Sequence, residues 1–210
     1  MCYSAESSLT SFLIGGSTSL YLLFFSKNNT NKHIGLFFFA VVLMQLAEYF
    51  IWIDQKCGWI NNYASRSINL ILILQAYSIF LGAYLFNTMN IDRKILKWLL
   101  LIATIISVFG GIPDYFDTKL KWCTKPNKDR SLQWANFELV PKHWTYVYYS
   151  IFLLTPLLFK ELWKSIIVFI FGVITYISTR YPNIHSSNSR WCYYSAFIPP
   201  LFIMIDKFKM

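Results

Sequence analysis

Acidic residues are scarce in this chain, with ten Asp and Glu in 210 residues against nineteen Lys and Arg, and charged residues make up only 14% of it. So little charge beside 56% hydrophobic and 20% aromatic content excludes the solvated surface of a soluble domain of this size. Histidine is scarcer still. His33, His143 and His185 are the only three, all at expected helix ends, and no HxxxH or HExxH pair is there to hold a metal. No CxxC or Cys/His cluster has zinc spacing, and no GxSxG elbow marks a serine hydrolase. No metal or cofactor is therefore expected. The last apolar run has no lysine at its middle, Lys207 lying past its end, so a seven-helix count does not imply retinal photochemistry or a signalling receptor. The opening MCYSAESS lacks a basic segment and a clear cleavage site follows nowhere, so the first helix is expected to insert and stay.

What the chain has in abundance is apolar sequence in membrane-length runs. Seven can be drawn: Leu9 to Phe25, His33 to Ile53, Ser67 to Met89, Ile95 to Ile112, Trp144 to Phe159, Leu162 to Thr179 and Trp191 to Ile205. A crossing helix needs about 17 to 25 residues, and a spanning barrel would alternate instead. The expected fold is all-α, a polytopic bundle of seven transmembrane helices forming a single domain over residues 1–210. Only Lys160 and Glu161 separate the fifth and sixth runs, so an interfacial or re-entrant pair reads equally well there.

The basic residues fall mainly between these runs, where they set orientation and meet lipid headgroups; nucleic acid is not expected as a partner. With the N-terminus outside, the inner segments hold Lys27, Lys32, Arg93, Lys94, Lys97, Lys160, Lys164, Lys207 and Lys209. The short outer loops then hold Lys56, Arg66, Arg180 and Arg190. The expected topology is multi-pass, N-terminus exoplasmic and C-terminus inside. It puts Cys2, Cys57, Cys123 and Cys192 on one oxidising side, an even count that predicts two disulfides, Cys57 with Cys123 and Cys2 with Cys192. Buried, unpaired cysteines are the alternative. The long segment 113–143 carries Trp122, Trp134 and Phe137, more apolar content than a disordered linker, and is expected to cap the outer mouth of the bundle. An interfacial aromatic belt explains the same residues.

Glu48 is the acid that cannot be placed at a helix end. It lies inside the second run, in MQLAEYFIWIDQKC, and an ionisable group there must face protein or a water-filled cavity. Gln45, Glu48 and Trp52 share one helical face. At similar depth the topology gathers Ser4, Asn69, Arg180, Asn183, Trp191 and Ser195, a polar and aromatic nest of the kind that holds a small ligand between helices. Glu48 paired with Arg180 or Arg190 as a structural tie is the competing expectation.

The segments MCYSAESS, QLAEYFIWIDQKCG and RYPNIHSSNSRWCYYSA resemble those of an uncharacterised family of small heptahelical membrane proteins found in bacteria and large DNA viruses. The family pattern is an MCxS start, Gln and an acid in the second helix, an IDQC-like exit and a PN segment followed by WCxxS. Here these fall on Cys2 and Ser4, on Gln45 and Glu48, on Ile53, Asp54, Gln55 and Cys57, and on Pro182, Asn183, Trp191, Cys192 and Ser195. The chain departs in having Lys56 before the cysteine. The resemblance implies the same seven-helix fold and no activity. The functional expectation is a site for a small polar or cationic solute in a transporter or channel. The alternatives are an intramembrane enzyme acting on lipid and a structural membrane or envelope protein. Membrane lipid is an expected partner and a homo-oligomer is compatible with the chain.

Overall fold

The computed structural model describes residues 4–106, 108–109, 112–116, 121–128, 131–135, 154–180 and 187–208. They form α1 (Ala5–Phe25), α2 (Asn29–Ile53), α3 (Trp59–Phe86), α4 (Arg93–Ile106) and the short α5 (Ile112–Phe116). A two-residue hairpin follows, β1 (Lys125–Pro126) with β2 (Leu132–Gln133), then a 3-10 turn (Thr155–Leu158), α6 (Leu162–Arg180), α7 (Ser187–Ser195) and α8 (Ile198–Phe208). The architecture is all-α apart from that hairpin. Side chains set the starts: Ser4 Oγ accepts from the Ser7 amide at 3.2 Å, and Asn28 Oδ1 from the Asn31 amide at 3.0 Å. Asn87, left-handed at φ 52°, stops α3.

Three of these helices, α1, α2 and α3, are long and apolar enough to cross a membrane. Their faces are sorted as lipid requires. The buried face of α1 is Ser8, Ser11, Gly15, Gly16, Ser19 and Leu22, while Leu13, Leu20, Phe24 and Phe25 stand exposed. In water that arrangement would be inside out; where the solvent is hydrocarbon, small residues go to the helix interface because close backbone approach is what holds helices together.

Glycines fix how α2 sits between its neighbours. Gly15 of α1 lies against Val42 of α2 and the Ala196 carbonyl, and Gly35 of α2 against the backbone at Ser19 and Leu23 of α1. Both contacts belong to one antiparallel register, which sets Ser11 opposite Leu46 and Ser8 opposite Tyr49. On the other side Gly82 of α3 leaves room for the His33 ring, and Asp54 at the end of α2 accepts from the Asn61 amide at 3.1 Å. That register sets Arg66 opposite Tyr49 and Asn69 opposite Leu46. The core that results runs along α2 through Ile34, Phe38, Val41, Met44 and Ile51.

Several expectations are corrected. The third run starts at Trp59 instead of Ser67, so Arg66 is not a loop residue but a buried one inside α3. Its apolar stem packs in the helix while the head group reaches Asn62 Oδ1 at 2.8 Å and the Tyr115 carbonyl at 3.1 Å. The last run is two helices instead of one. Tight turn bonds from Ala196 to Tyr193 and from Phe197 to Tyr194 end α7, and Pro199 and Pro200 then fall in the first turn of α8, where a missing N–H costs nothing. Most of the fifth run lies outside the described residues. Its end, with Pro156, is a 3-10 turn from which Phe159 bridges to Met89. Cys57 and Cys123 form a disulfide as expected, with Cα atoms 5.4 Å apart. The second bridge is not formed. Cys192 is a free thiol buried on α7, where it packs as a small apolar residue; Cys2 lies outside the described residues.

The glycine at 82 gives a direct test of the α2 to α3 packing. Gly82→Ala drives a methyl into the His33 ring, and thermal unfolding in detergent should show a loss of about 1 to 3 kcal/mol. An unchanged melting temperature would refute the close approach.

Candidate functional site

Glu48 is completely buried, and both its oxygens are engaged. Gln45 Nε2, one turn back on α2, donates to Oε2 at 3.0 Å, and the indole Nε1 of Trp134 donates to Oε1 at 3.0 Å. The first bond is local and follows from spacing on a helix. The second is tertiary, because Trp134 follows β2, in the long segment, and is itself buried. Glu48 thus faces the interior as expected. The described hydrogen bonds to its carboxylate come from its own helix and the long segment, and α7, which carries the buried Cys192, packs against α2.

The segment reaches Glu48 because polar groups at the start of α3 receive it. Thr124 is the hub: its amide donates to Asn61 Oδ1 at 3.0 Å, its carbonyl accepts from Asn61 Nδ2 at 2.9 Å, and its hydroxyl accepts from Ser65 at 2.8 Å. All three side chains are buried, so a local pairing of donors and acceptors substitutes for water. The disulfide to Cys57 sits one residue before this hub. The hairpin beyond it then delivers Leu132 and Trp134 to the core, and Arg190 of α7 closes over it with Nη2 3.4 Å from Ser131 Oγ. The amides of Asn61 and Gly58 also hold the Asp54 carboxyl below its ordinary value of 3.8 at the same end of the bundle.

The residues expected in the nest are only partly brought together. Gln45 and Glu48 are in contact. Trp52, one turn further on, is half-buried, and its Nε1 has no partner among the described residues. Ser195 and Trp191 are buried on α7, and Ser195 Oγ likewise has no partner among the described residues. Asn69 is half-buried at the depth of Leu46. Ser4 is a helix cap at the start of α1, which gives its hydroxyl a structural role; Ser8, opposite Tyr49, is the α1 serine at the right depth, buried and also without a partner among the described residues. Arg180 closes α6, but its side chain and all of Asn183 lie outside the described residues. Among the described residues no three His, Cys, Asp or Glu gather as metal ligands.

A second polar cluster, at the far end of α2, has no counterpart in the sequence reading. Lys164, 2% exposed, donates to Asn31 Oδ1 at 2.7 Å and pairs with Glu161 at 3.1 Å. Asn31 also bonds Asp206 of α8, Asn28 donates to Glu161 at 3.0 Å, and His33 Nδ1 lies 2.6 Å from Thr88 Oγ1. Partial burial pushes the Glu161 carboxyl up, but the bonds from Thr30, Asn28 and Lys164 outweigh it and leave the group below its usual range. The cluster binds α2, α6 and α8 together. Lysines at the ends of apolar runs are the only sequence signal for it, and they read as topology markers.

Two predictions follow from these bonds. Trp134→Phe keeps an aromatic ring but deletes the donor to a buried carboxylate, and should lower stability by about 1.5 to 3 kcal/mol in chemical or thermal unfolding; no loss would mean that the indole bond is not made. Because the folded-state pKa of Asp54 is depressed, its contribution to stability is present above 3.8 and is lost as pH falls through the folded value. Asp54→Asn should flatten that acid limb of the melting-temperature profile, and an unchanged limb would assign it to other carboxylates.

Comparison of the chain with protein-family models, with curated proteins and with solved structures finds no match.

Proposed function

We propose that the chain is a seven-pass membrane protein, N-terminus exoplasmic, that binds a small polar or cationic solute at Glu48 beneath the long segment. One observation carries the reading. Around a fully buried carboxylate, inside a helix long enough to span a membrane, Ser8 Oγ at its level, Trp52 Nε1 one turn along α2 and Ser195 Oγ beside the Ala196 that meets Gly15 near Val42 are buried with no partner among the described residues. Each such group left unsatisfied costs about 1 to 3 kcal/mol, and a bound polar solute recovers that cost. In this reading the carboxylate supplies the charge, Gln45 orients it, and Trp52 and Trp191 wall the solute. A permanently open channel is the weaker form of the proposal. Phe38, Val41 and Met44, all buried, lie along α2 between Glu48 and the Lys164 cluster, so passage requires rearrangement.

The engagement of both Glu48 oxygens favours a second reading, in which the acid only anchors the long segment through Trp134. An enzyme acting on lipid, with Glu48 as acid or base, would require Ser8 or Ser195 as its companion.

Glu48→Gln separates solute binding from anchoring. The amide keeps the shape and one acceptor oxygen while the charge is lost. Proton, sodium and quaternary ammonium fluxes are measured in liposomes alongside melting temperature in detergent. Solute binding predicts that a flux seen in the wild type falls at least about tenfold while the protein stays folded. A flux unaffected by the change, or absent from the wild type for all three probes, overturns the proposal, and a fall in melting temperature alone assigns Glu48 to anchoring.

A further inference from the structure

Two stretches of apolar surface face the medium around the bundle. One is a groove of about 290 Å³ between α2 and α3 at the disulfide end, lined by Trp59, Tyr63 and Tyr115 and by no charged side chain. Nothing in it selects one occupant over another. The outer face of α4 differs, because there cations and apolar side chains belong to a single stripe.

The helix begins Arg93-Lys94-Ile95-Leu96-Lys97-Trp98 and is almost wholly aliphatic afterwards. Leu96 is buried, Leu99, Leu100 and Ala103 are half-buried on the same face, and α4 packs against α3. On the opposite face Lys94, Lys97, Trp98, Leu101 and Ile105 follow one another at helical spacing, all of them exposed. Thr104 stands exposed nearby, and its hydroxyl donates to the Leu100 carbonyl at 2.8 Å, satisfied within its own helix as a polar group facing hydrocarbon must be.

The stripe runs along the bilayer normal. The Arg93 guanidinium lies 5.2 Å from the centroid of the Tyr84 ring, which fixes the start of α4 to the end of α3. The chain then returns toward the start of α3, where the Tyr115 carbonyl of α5 accepts from Arg66 at 3.1 Å. α4 is therefore antiparallel to α3, a helix long enough to span a membrane. Lys94 and Lys97 stand where α3 ends, at headgroup level. From Lys94 to Ile105 the stripe covers about 16 Å, the depth of one leaflet in a hydrocarbon core about 30 Å thick.

Both lysines keep their charge for an external partner. The ion pair described at this end of the bundle joins Lys164 to Glu161, and Asp206 is bonded by Asn31. Asp92, the one acid in the turn ahead of α4, accepts from the Lys94 amide at 2.6 Å and so caps the helix. Positive charge at headgroup height above an apolar strip one leaflet deep is complementary to a lipid with a negative head.

We propose that the outer face of α4 is a binding site for one anionic phospholipid, its phosphate between Lys94 and Lys97 and its acyl chain along Trp98, Leu101 and Ile105. The site rests on α3 spanning the membrane and is independent of the solute reading at Glu48, which lies toward the other end of the bundle.

The test uses the full chain in mild detergent, with phosphatidylglycerol and phosphatidylcholine of identical chains added in equal amounts and retention read by native mass spectrometry. One phosphatidylglycerol should be retained about tenfold better than phosphatidylcholine, as two basic residues near a phosphate require. The double change Lys94→Gln with Lys97→Gln should abolish that preference and leave phosphatidylcholine retention as it was. Lys27→Gln with Lys207→Gln removes two exposed cations from the same end of the bundle but away from α4, and should leave the preference intact. Equal retention of the two lipids by the wild type overturns the proposal. So does a preference that survives the change on α4, or one that the Lys27 and Lys207 change abolishes as well. Efficient cross-linking of Leu101→Cys between two chains would put a second copy on the stripe and overturn it too.

Discussion

The arrangement of this protein depends on how closely α1 and α3 approach α2. Hydrophobicity cannot hold helices together where the surrounding solvent is itself hydrocarbon, so the contacts must come from shape and from internal hydrogen bonds. Gly15, Gly35 and Gly82 supply the shape. Each removes a side chain where another backbone or ring arrives, and together they set α2 in a fixed register against α1 and α3. Once the register is set, the depth of every polar residue follows: Ser8 and Arg66 come level with Tyr49, and Asn69 with Leu46.

The same constraint explains where the polar groups gather. An interior without water must satisfy its own donors and acceptors or carry the cost, and α2 does this at both ends. At one end Asn28, Asn31, Glu161, Lys164 and Asp206 make a closed set of bonds that ties the C-terminal helices to α2. At the other, Glu48 takes one donor from its own helix and one from the long segment. The segment is in turn held by the Thr124 hub and by the Cys57 to Cys123 bridge. Between the two ends α2 buries Phe38, Val41 and Met44. Those three apolar side chains separate the buried acid from the polar cluster at the other end of α2.

The disulfide end also holds features that suit contact with other molecules. The buried acid and the groove lined by Trp59, Tyr63 and Tyr115 both lie there. The interior of the far end is occupied by polar bonds among the helices themselves.

The sequence by itself determined the helical, apolar class and set Gln45 and Glu48 on one inward face of a helix, because each depends on local spacing along one helix. It also made Cys57 and Cys123 natural partners, since both stand at the same end of neighbouring elements. Only the tertiary structure decided that Trp134 meets the carboxylate, that Lys164 is buried beside Asn31, that Arg66 belongs inside α3, and that Cys192 stays a thiol. These depend on which residues meet across the register of separate helices and on the path of a loop, and neither leaves a period in the chain. Helical spacing tells which way a side chain faces; what it faces is set by the closure of the whole bundle.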